Sequence, residues 1–383
     1  MKIGIVTLNG YFNYGNRLQN YALQQVLLNE GYKVETVVFE YDEEKQKSTS
    51  KIKKVRLVDR VLNLKNKSIL DIIKKMQSGI KDKIYGKKYK LLNRKREDVF
   101  KDFTKKNIVE RHIKIKNNVI PHEFLNEYDY FITGSDQVWN PNYNKGSQLN
   151  FLNFFHGSHS IAFAPSFGVS EIPSEYHENY KSWISNIKYL SVRENEGAKI
   201  IKELTGRNVP VLVDPTLLLT TEQWRELKNE TTVRQNKKYL LTYFLGETRV
   251  KYRKVIESYA KANSLEVVNL SDINEDNSYV AGPKEFLQYI DDCDLFCTDS
   301  FHGTVFSIIF KKPFVVFERV GTASMYSRIE TILDKFNLTS RKDSNISLSD
   351  VMDIDYSHVT PILEAERQKA IDFLRNSLSV KDE

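Results

Sequence analysis

Apolar and polar positions along the chain fall into two successive alternations of strand and helix. Lys2 to Leu8 is a short apolar strand pattern, and Asn9 to Asn16 (NGYFNYGN) is a polar loop studded with aromatic residues. Leu18, Tyr21, Ala22, Val26 and Leu28 then recur at near-helical spacing, predicting a helix from Leu18 to Asn29 that Gly31 ends. Lys33 to Phe39 reads as the second strand, Tyr128 to Thr133 as another, and Ser160 to Pro165 as a buried one. The stretch from Glu175 to Ile187 reads as a helix between domains.

The second alternation starts at Leu190 to Glu194, a strand, followed by a helix from Asn195 to Thr205 and a strand from Val209 to Val213. Lys238 to Leu245, Val250 to Asn263, Ser264 to Leu270 and Lys284 to Cys293 continue it. A final unit runs from Asp294 to Phe317: an apolar strand, a polar break at Thr298-Asp299-Ser300, a helix from Thr304 to Phe310, and a strand after Pro313. Helices at Ser327 to Phe336 and Ala365 to Leu378 follow. Strands alternating with helices predict parallel sheets, and two such series predict two α/β domains facing a cleft. The expected division is 1–185, 186–360 and a C-terminal helical piece, 361–383, folding back on the first domain.

Between Ser48 and Lys106 the pattern changes. Ile52, Val55, Val58, Ile69, Ile72, Met76 and Ile80 recur every three or four residues, with lysines on the other face. This predicts a basic amphipathic helical insertion. It also explains the charge: of a net +7, the span from Glu44 to Lys116 carries about 25 Lys and Arg against about 8 Asp and Glu. The insertion reads either as a surface for anionic lipid or as a helix packing on its parent domain. No nucleic-acid module accompanies it, so nucleic acid is not an expected partner. At 383 residues and 40% hydrophobic the chain supports two cores. Cys293 and Cys297 read as small buried residues of a reducing compartment. With no apolar run of membrane-spanning length, the expectation is a cytoplasmic protein, peripheral at most to the inner face of a membrane.

The chemistry sits at predicted strand ends. Gly134-Ser135-Asp136-Gln137-Val138-Trp139 combines carboxylate, amide and indole, a set suited to sugar hydroxyls and an apolar sugar face; its other reading is a turn with a half-buried Trp. Arg193 ends one strand, either as an anion ligand or as a salt-bridge partner. His302 lies at the carboxyl end of another strand and the start of a helix, where anions collect. It reads as an acid/base group or as a cap. Asp214-Pro215 reads as a turn. GxSxG, HExxH, CxxC and Walker patterns are all missing, and the first loop lacks GxGxxG, so triad, zinc, P-loop and dinucleotide chemistry have no support in the motifs.

Five pieces in chain order resemble the polysaccharide pyruvyltransferase family: the Gly- and Asn-containing loop before LQNYAL (Leu18 to Leu23), ITGSDQVWNP (Ile132 to Pro141), SVRE (Ser191 to Glu194), VDPTLLL (Val213 to Leu219) and TDSFHGTVFSIIFKKPF (Thr298 to Phe314). The resemblance implies a GT-B-like fold of two Rossmann-like domains. It implies transfer of pyruvate from phosphoenolpyruvate, a co-substrate rather than a cofactor, to a sugar or lipid-linked oligosaccharide in surface polysaccharide biosynthesis. The family's arginine of S-x-R-[DE] falls on Arg193 and its histidine on His302, the two residues it implies are catalytic. Donor binding would fall to Arg193, Arg328, Ser300, Gly303, Thr304 and Arg341, and acceptor binding to Asn13, Tyr14, Asn16, Arg17, Ser135, Asp136, Gln137 and Trp139. No metal is implied. Two positions depart from the family pattern. Ser300-Phe301-His302 stands where many members carry Arg-Leu-His, which makes Arg341 or Arg319 the replacement or changes the donor, and Gly15-Asn16 stands where an aspartate is common. A nucleotide-sugar glycosyltransferase and a non-catalytic polysaccharide-assembly protein are the competing readings.

Overall fold

The strand β1 (Lys2–Val6) is buried along almost its whole length, which gives it a central place in a sheet covered on both faces. In the computed structural model, which describes residues 1–41, 69–116, 119–143, 147–155, 157–228, 237–319 and 327–379, it pairs in parallel with β2 (Lys33–Tyr41) on one side and β4 (Tyr130–Thr133) on the other. With β3 (Glu110–Ile115), β5 (Ser160–Ala162) and β6 (Tyr189–Leu190) the order is β3-β2-β1-β4-β5-β6. A second parallel sheet has the order β10-β9-β7-β8, from β7 (Tyr239–Tyr243), β8 (Glu266–Asn269), β9 (Leu295–Thr298) and β10 (Phe314–Val316), with α6 (Val250–Ala262) crossing from β7 to β8. Each sheet reverses its winding at one point, between β1 and β4 and between β7 and β9. Crevices form outside the carboxyl ends of strands at such reversals.

The first domain extends further than the expected boundary at 185. Tyr189 and Leu190 pair with Ile161 and Ala162, so β6 is the edge of the first sheet and does not begin the second. The expected strand from Val209 to Val213 is reduced to one bridge, Val192 to Val211, on the same edge. The crossover helix α4 (Asn195–Thr205) packs on α3 (His177–Ser185), again in the first domain. An apolar pattern says that a segment is a strand, but its sheet is decided by which neighbour it meets.

Helix α1 (Tyr14–Asn29) starts four residues earlier than its apolar pattern suggests, capped by Asn13, whose side chain accepts from the Gly15 N–H at 2.9 Å. The early start carries Tyr14 into the seam between domains. There it stacks on Phe286 (centroids 4.2 Å apart) of α7 (Pro283–Asp292) and donates to the Ala281 carbonyl (3.0 Å). Tyr21 meets Trp224 of α5 (Thr221–Lys228) across the same seam.

Of the basic insertion, residues 42–68 lie outside the described residues. The helix α2 (Ile69–Asn107) is a strut rather than an appendage. Leu92, Phe100 and Phe103 are buried, and Phe100 stacks on Tyr14. From the same helix Asn93 accepts from Tyr279 (2.7 Å) and Lys88 pairs with Asp276 (2.7 Å), both in the second domain. The expected apolar positions from Ile52 to Ile80 have side chains outside those described; from residue 86 on, the helix is held by packing and polar contacts to both domains. Among the described residues no helix is long and apolar enough to cross a membrane. The last helix, α10 (Val359–Leu378), lies on the first domain: Arg375 makes a bidentate pair with Glu30 (2.8 Å twice), and Phe373 approaches Phe163.

Candidate functional site

The two winding reversals face each other, and the loops after β1 and β9 touch. The contact is Gly15 against His302: a methyl group at Gly15 would stand 2.0 Å from the imidazole Nδ1. Glycine is required here because the ring of one domain occupies the space a side chain of the other would need. His302 belongs to α8 (Phe301–Ile309), whose first turn begins at Phe301, three residues before the sequence expectation, with Ser300 as N-cap accepting from the Gly303 N–H. Every residue of α8 is buried, so its backbone has little room to shift. His302 keeps 6% of its surface exposed, at the junction of the domains.

Behind the imidazole lies a charged network. The Asp214 carboxylate is 3.5 Å from His302 Nε2, an ion-pair distance rather than a well-formed hydrogen bond, and 2.7 Å from Arg193 Nη1. Asp214 also accepts from the Thr216 N–H (3.0 Å) and lies within hydrogen-bond reach of the Ser135 hydroxyl (2.9 Å). Burial would raise its carboxyl, but the charges of His302 and Arg193 outweigh burial and hold it well below the usual carboxylate range. Arg193 Nη2 stands 3.4 Å from Asp136, and the flat face of the guanidinium covers Phe301 at 4.2 Å. Glu194 accepts from the Ser166 hydroxyl and the Phe167 N–H; burial raises its carboxyl against the pull of Arg193 and Arg328.

Arg328, on α9 (Ser327–Lys335), enters the same network from the second domain. Burial, followed by the charge of Arg193, pushes its guanidinium down to about 10, with Glu194 and Asp136 opposing. Among the described residues its Nε has no hydrogen-bond partner, and the same is true of Arg193 Nε, Glu194 Oε2 and His302 Nε2. Three of these atoms still face an opposite charge at ion-pair distance, Arg193 Nε and Glu194 Oε2 each other (4.0 Å) and His302 Nε2 the Asp214 carboxylate, so among the described residues Arg328 Nε is the one of the four with most to gain from a ligand's anion.

Several expected site residues serve the fold instead. Trp139 is fully buried, stacked on Phe151 (4.8 Å) and donating to the Asn150 carbonyl, so its indole offers no sugar platform. Both of the sequence alternatives for it, platform and half-buried turn, give way to a core residue. Gln137 accepts from Asn140 within its own turn, and Ser135 is sealed between the Ala164 carbonyl and Asp214. Arg17 is buried against Glu110 (2.8 Å) and the Leu8 carbonyl, and Tyr14 is in the seam described above. Arg341 donates to the carbonyls of Phe314, Val351 and Asp353, stapling the loop after β10, so it neither binds donor nor replaces the missing arginine of the triplet. Gly303 and Thr304 lie inside the first turns of α8, where Thr304 donates back to the Ser300 carbonyl (3.0 Å). Arg319 is held by Asp299 (3.4 Å) beside the loop after β7.

The network gathers Asp136, Arg193, His302 and Arg328 from the expected set, with Asn16 near the same loop carrying a buried, unpartnered Oδ1. It adds Asp214 and Glu194, which sequence reading passed over. Asp214 does start the turn expected of an Asp-Pro pair, since Thr216 caps on it, and its second oxygen does the rest. The available signal was position: Asp214 follows an apolar run that ends at the same edge as Arg193. Among the described residues no group of three or more His, Cys, Asp or Glu is placed to hold a metal ion.

Residues 13–319 match a family model described as polysaccharide pyruvyl transferase. No curated protein matches the chain. Among solved structures, UDP-GlcNAc 2-epimerase from Neisseria meningitidis is similar at 8% identity and a TM-score of 0.46, over 98% of this chain and 100% of that one. Arabidopsis thaliana UGT89C1 complexed with UDP aligns at 10% identity and 0.46, over 99% and 100%. An uncharacterized protein from Klebsiella pneumoniae aligns at 14% identity and 0.36, over 64% and 86%.

Proposed function

The chain belongs to the polysaccharide pyruvyl transferase family, and from that premise we propose that it moves pyruvate from phosphoenolpyruvate onto two hydroxyls of a sugar, closing a ketal. The observation that carries this reading is one charged network that holds an imidazole at one end, paired with Asp214 and through it with Arg193, and a buried guanidinium, Arg328, under the charges of Arg193, Glu194 and Asp136 at the other. Phosphoenolpyruvate brings a phosphate and a carboxylate, and a guanidinium desolvated in this way gains most from such an anion.

The atoms balance as follows. A proton adds to C3 of the enol, making the methyl group, while a sugar hydroxyl oxygen bonds to C2 and its own proton passes to the phosphate, which later leaves as hydrogen phosphate. The second hydroxyl then bonds to C2 as the C2–O bond to phosphate breaks, and its proton leaves toward the base. His302 gives the first proton and recovers one from the second hydroxyl, so it ends as it began. Asp214 orients the ring and stabilises its charged form. Arg193, already engaged by Asp214 and Asp136, is a positioning residue that fixes the carboxylate behind the imidazole rather than a fork open to donor. Arg328 takes the phosphate. With Gly15 against the ring, donor reaches His302 when the two lobes part.

The test is to incubate the full chain with phosphoenolpyruvate, a nucleotide sugar and cell-envelope polysaccharide. Pyruvate incorporated into polysaccharide with release of inorganic phosphate, lost in His302→Ala, is expected. Release of nucleoside diphosphate without inorganic phosphate would replace pyruvyl transfer with glycosyl transfer.

A further inference from the structure

A cavity of about 520 Å³ opens between the domains, lined by Phe12 of the loop before α1, by α2 and by residues after β7 and β8. One wall is α2 (Tyr89, Asn93, Arg96); the other is the ends of β7 and β8, with Leu245 and Ser271; Phe12 hangs over the mouth. Two of its rings are open to solvent, Phe12 at 52% and Tyr89 at 47%. Arg96, only 7% exposed, lines the same cavity.

The setting of Arg96 is unusual. Its Nη1 donates to the Tyr279 carbonyl (3.2 Å), and its face covers the ring of Tyr14 at 4.8 Å. Its Nε has no hydrogen-bond partner, and among the described residues no carboxylate pairs with it. Burial opposes its charge, but Tyr14, Tyr243 and Tyr279 around it outweigh burial and keep the guanidinium charged without any carboxylate. Rings at the mouth and a charged guanidinium with no carboxylate partner among the described residues suit a molecule with an apolar face and an anionic group.

Both walls lead to His302. Phe12 stands three residues before Gly15, which touches the imidazole. The Leu245 and Gly246 N–H groups donate to Asp299 (2.7 and 3.0 Å), three residues before His302. We propose that this cavity is the acceptor subsite, and that it takes a sugar carrying phosphate or pyrophosphate, its ring on Phe12 and Tyr89 and its anion on Arg96. The proposal rests on the pyruvyl-transfer reading, and it replaces the Ser135–Trp139 loop as the place where sugar binds.

Calorimetric titration of the full chain with glucose 1-phosphate, galactose 1-phosphate and N-acetylglucosamine 1-phosphate, and with each unphosphorylated sugar, tests it. At least one sugar phosphate is expected to bind, about tenfold or more tighter than its neutral sugar, one such factor being about 1.4 kcal/mol. Phe12→Ala and Tyr89→Ala, both at exposed positions that folding does not need, are expected to weaken it about fivefold or more. Arg96→Lys is expected to erase the preference for the phosphate form. Phosphoenolpyruvate should not displace the sugar phosphate. Failure of all three sugar phosphates to bind overturns the assignment, as does binding that both aromatic variants leave intact or that phosphoenolpyruvate competes away. Phosphoenolpyruvate binding by wild type, measured alone, decides the donor reading separately: its loss would sink that reading without touching the titration.

Discussion

Replacing Gly15 by alanine tests whether the two domains meet at the imidazole. In an ordinary helix Gly→Ala stabilises by up to about 1 kcal/mol. Here the new methyl would stand 2.0 Å from His302 Nδ1, 2.4 Å from Cε1 and 2.6 Å from Cγ. Contact distance is roughly 3.5–4.0 Å, so ring or helix must move by about 1.5 Å. The ring sits in the first turn of a helix buried on all sides, and the overpacking cost is about 1–3 kcal/mol. The balance is a single variant that is neutral or destabilised by up to about 2 kcal/mol. In a His302→Ala background the obstacle is gone, and the same change should stabilise by up to about 1 kcal/mol. Urea unfolding of wild type, both single variants and the double variant gives a coupling energy of about 1–3 kcal/mol. Phosphate release from phosphoenolpyruvate should fall about 100-fold in Gly15→Ala, the cost of misplacing an acid/base group by about 1 Å. An alanine that stabilises equally in both backgrounds would refute the contact and the reasoning built on it.

Two further outcomes follow from the charged network. Asp214→Asn leaves Arg193 without its nearest carboxylate and should cost about 3–5 kcal/mol at neutral pH. Because the folded Asp214 carboxyl is held below its ordinary 3.8, its contribution is complete above that value and fades as pH falls through it. The melting temperature of wild type should therefore drop more steeply than that of Asp214→Asn below about pH 4; parallel curves by scanning calorimetry would contradict the assignment. Arg328→Met should leave stability unchanged or raise it. A guanidinium pushed by burial down to about 10 is charged at a penalty of up to about 3 kcal/mol, present at neutral pH and relieved only as pH rises through the folded value. The same variant should lose the rise in melting temperature that phosphoenolpyruvate gives wild type, and retention of that rise would remove Arg328 from the donor site.

Local pattern was enough for most elements. The helix from Asn195 to Thr205 has the bounds its apolar periodicity implies, β7 and β8 fall inside the expected strands, and β9 runs one residue past its own, into Thr298. Pattern was weakest at helix starts. Tyr14 and Phe301 begin their helices three or four residues before the apolar repeat shows them, because Asn13 and Ser300 supply caps that hydrophobicity does not register.

The charged residues divide along a physical line. Sequence by itself determined that this chain forms parallel α/β layers and that Arg193 and His302 stand at strand ends, since periods of 2 and 3.6 and the positions of polar breaks are local properties. Only the tertiary structure decided which arginines are spent. Arg17 is consumed by the Glu110 carboxylate and Arg341 by backbone carbonyls, whereas among the described residues Arg96 and Arg328 are buried with no carboxylate hydrogen-bonded to them. Partnership is a matter of distance in space, and a guanidinium reads the same in a sequence whether or not its acceptors arrive.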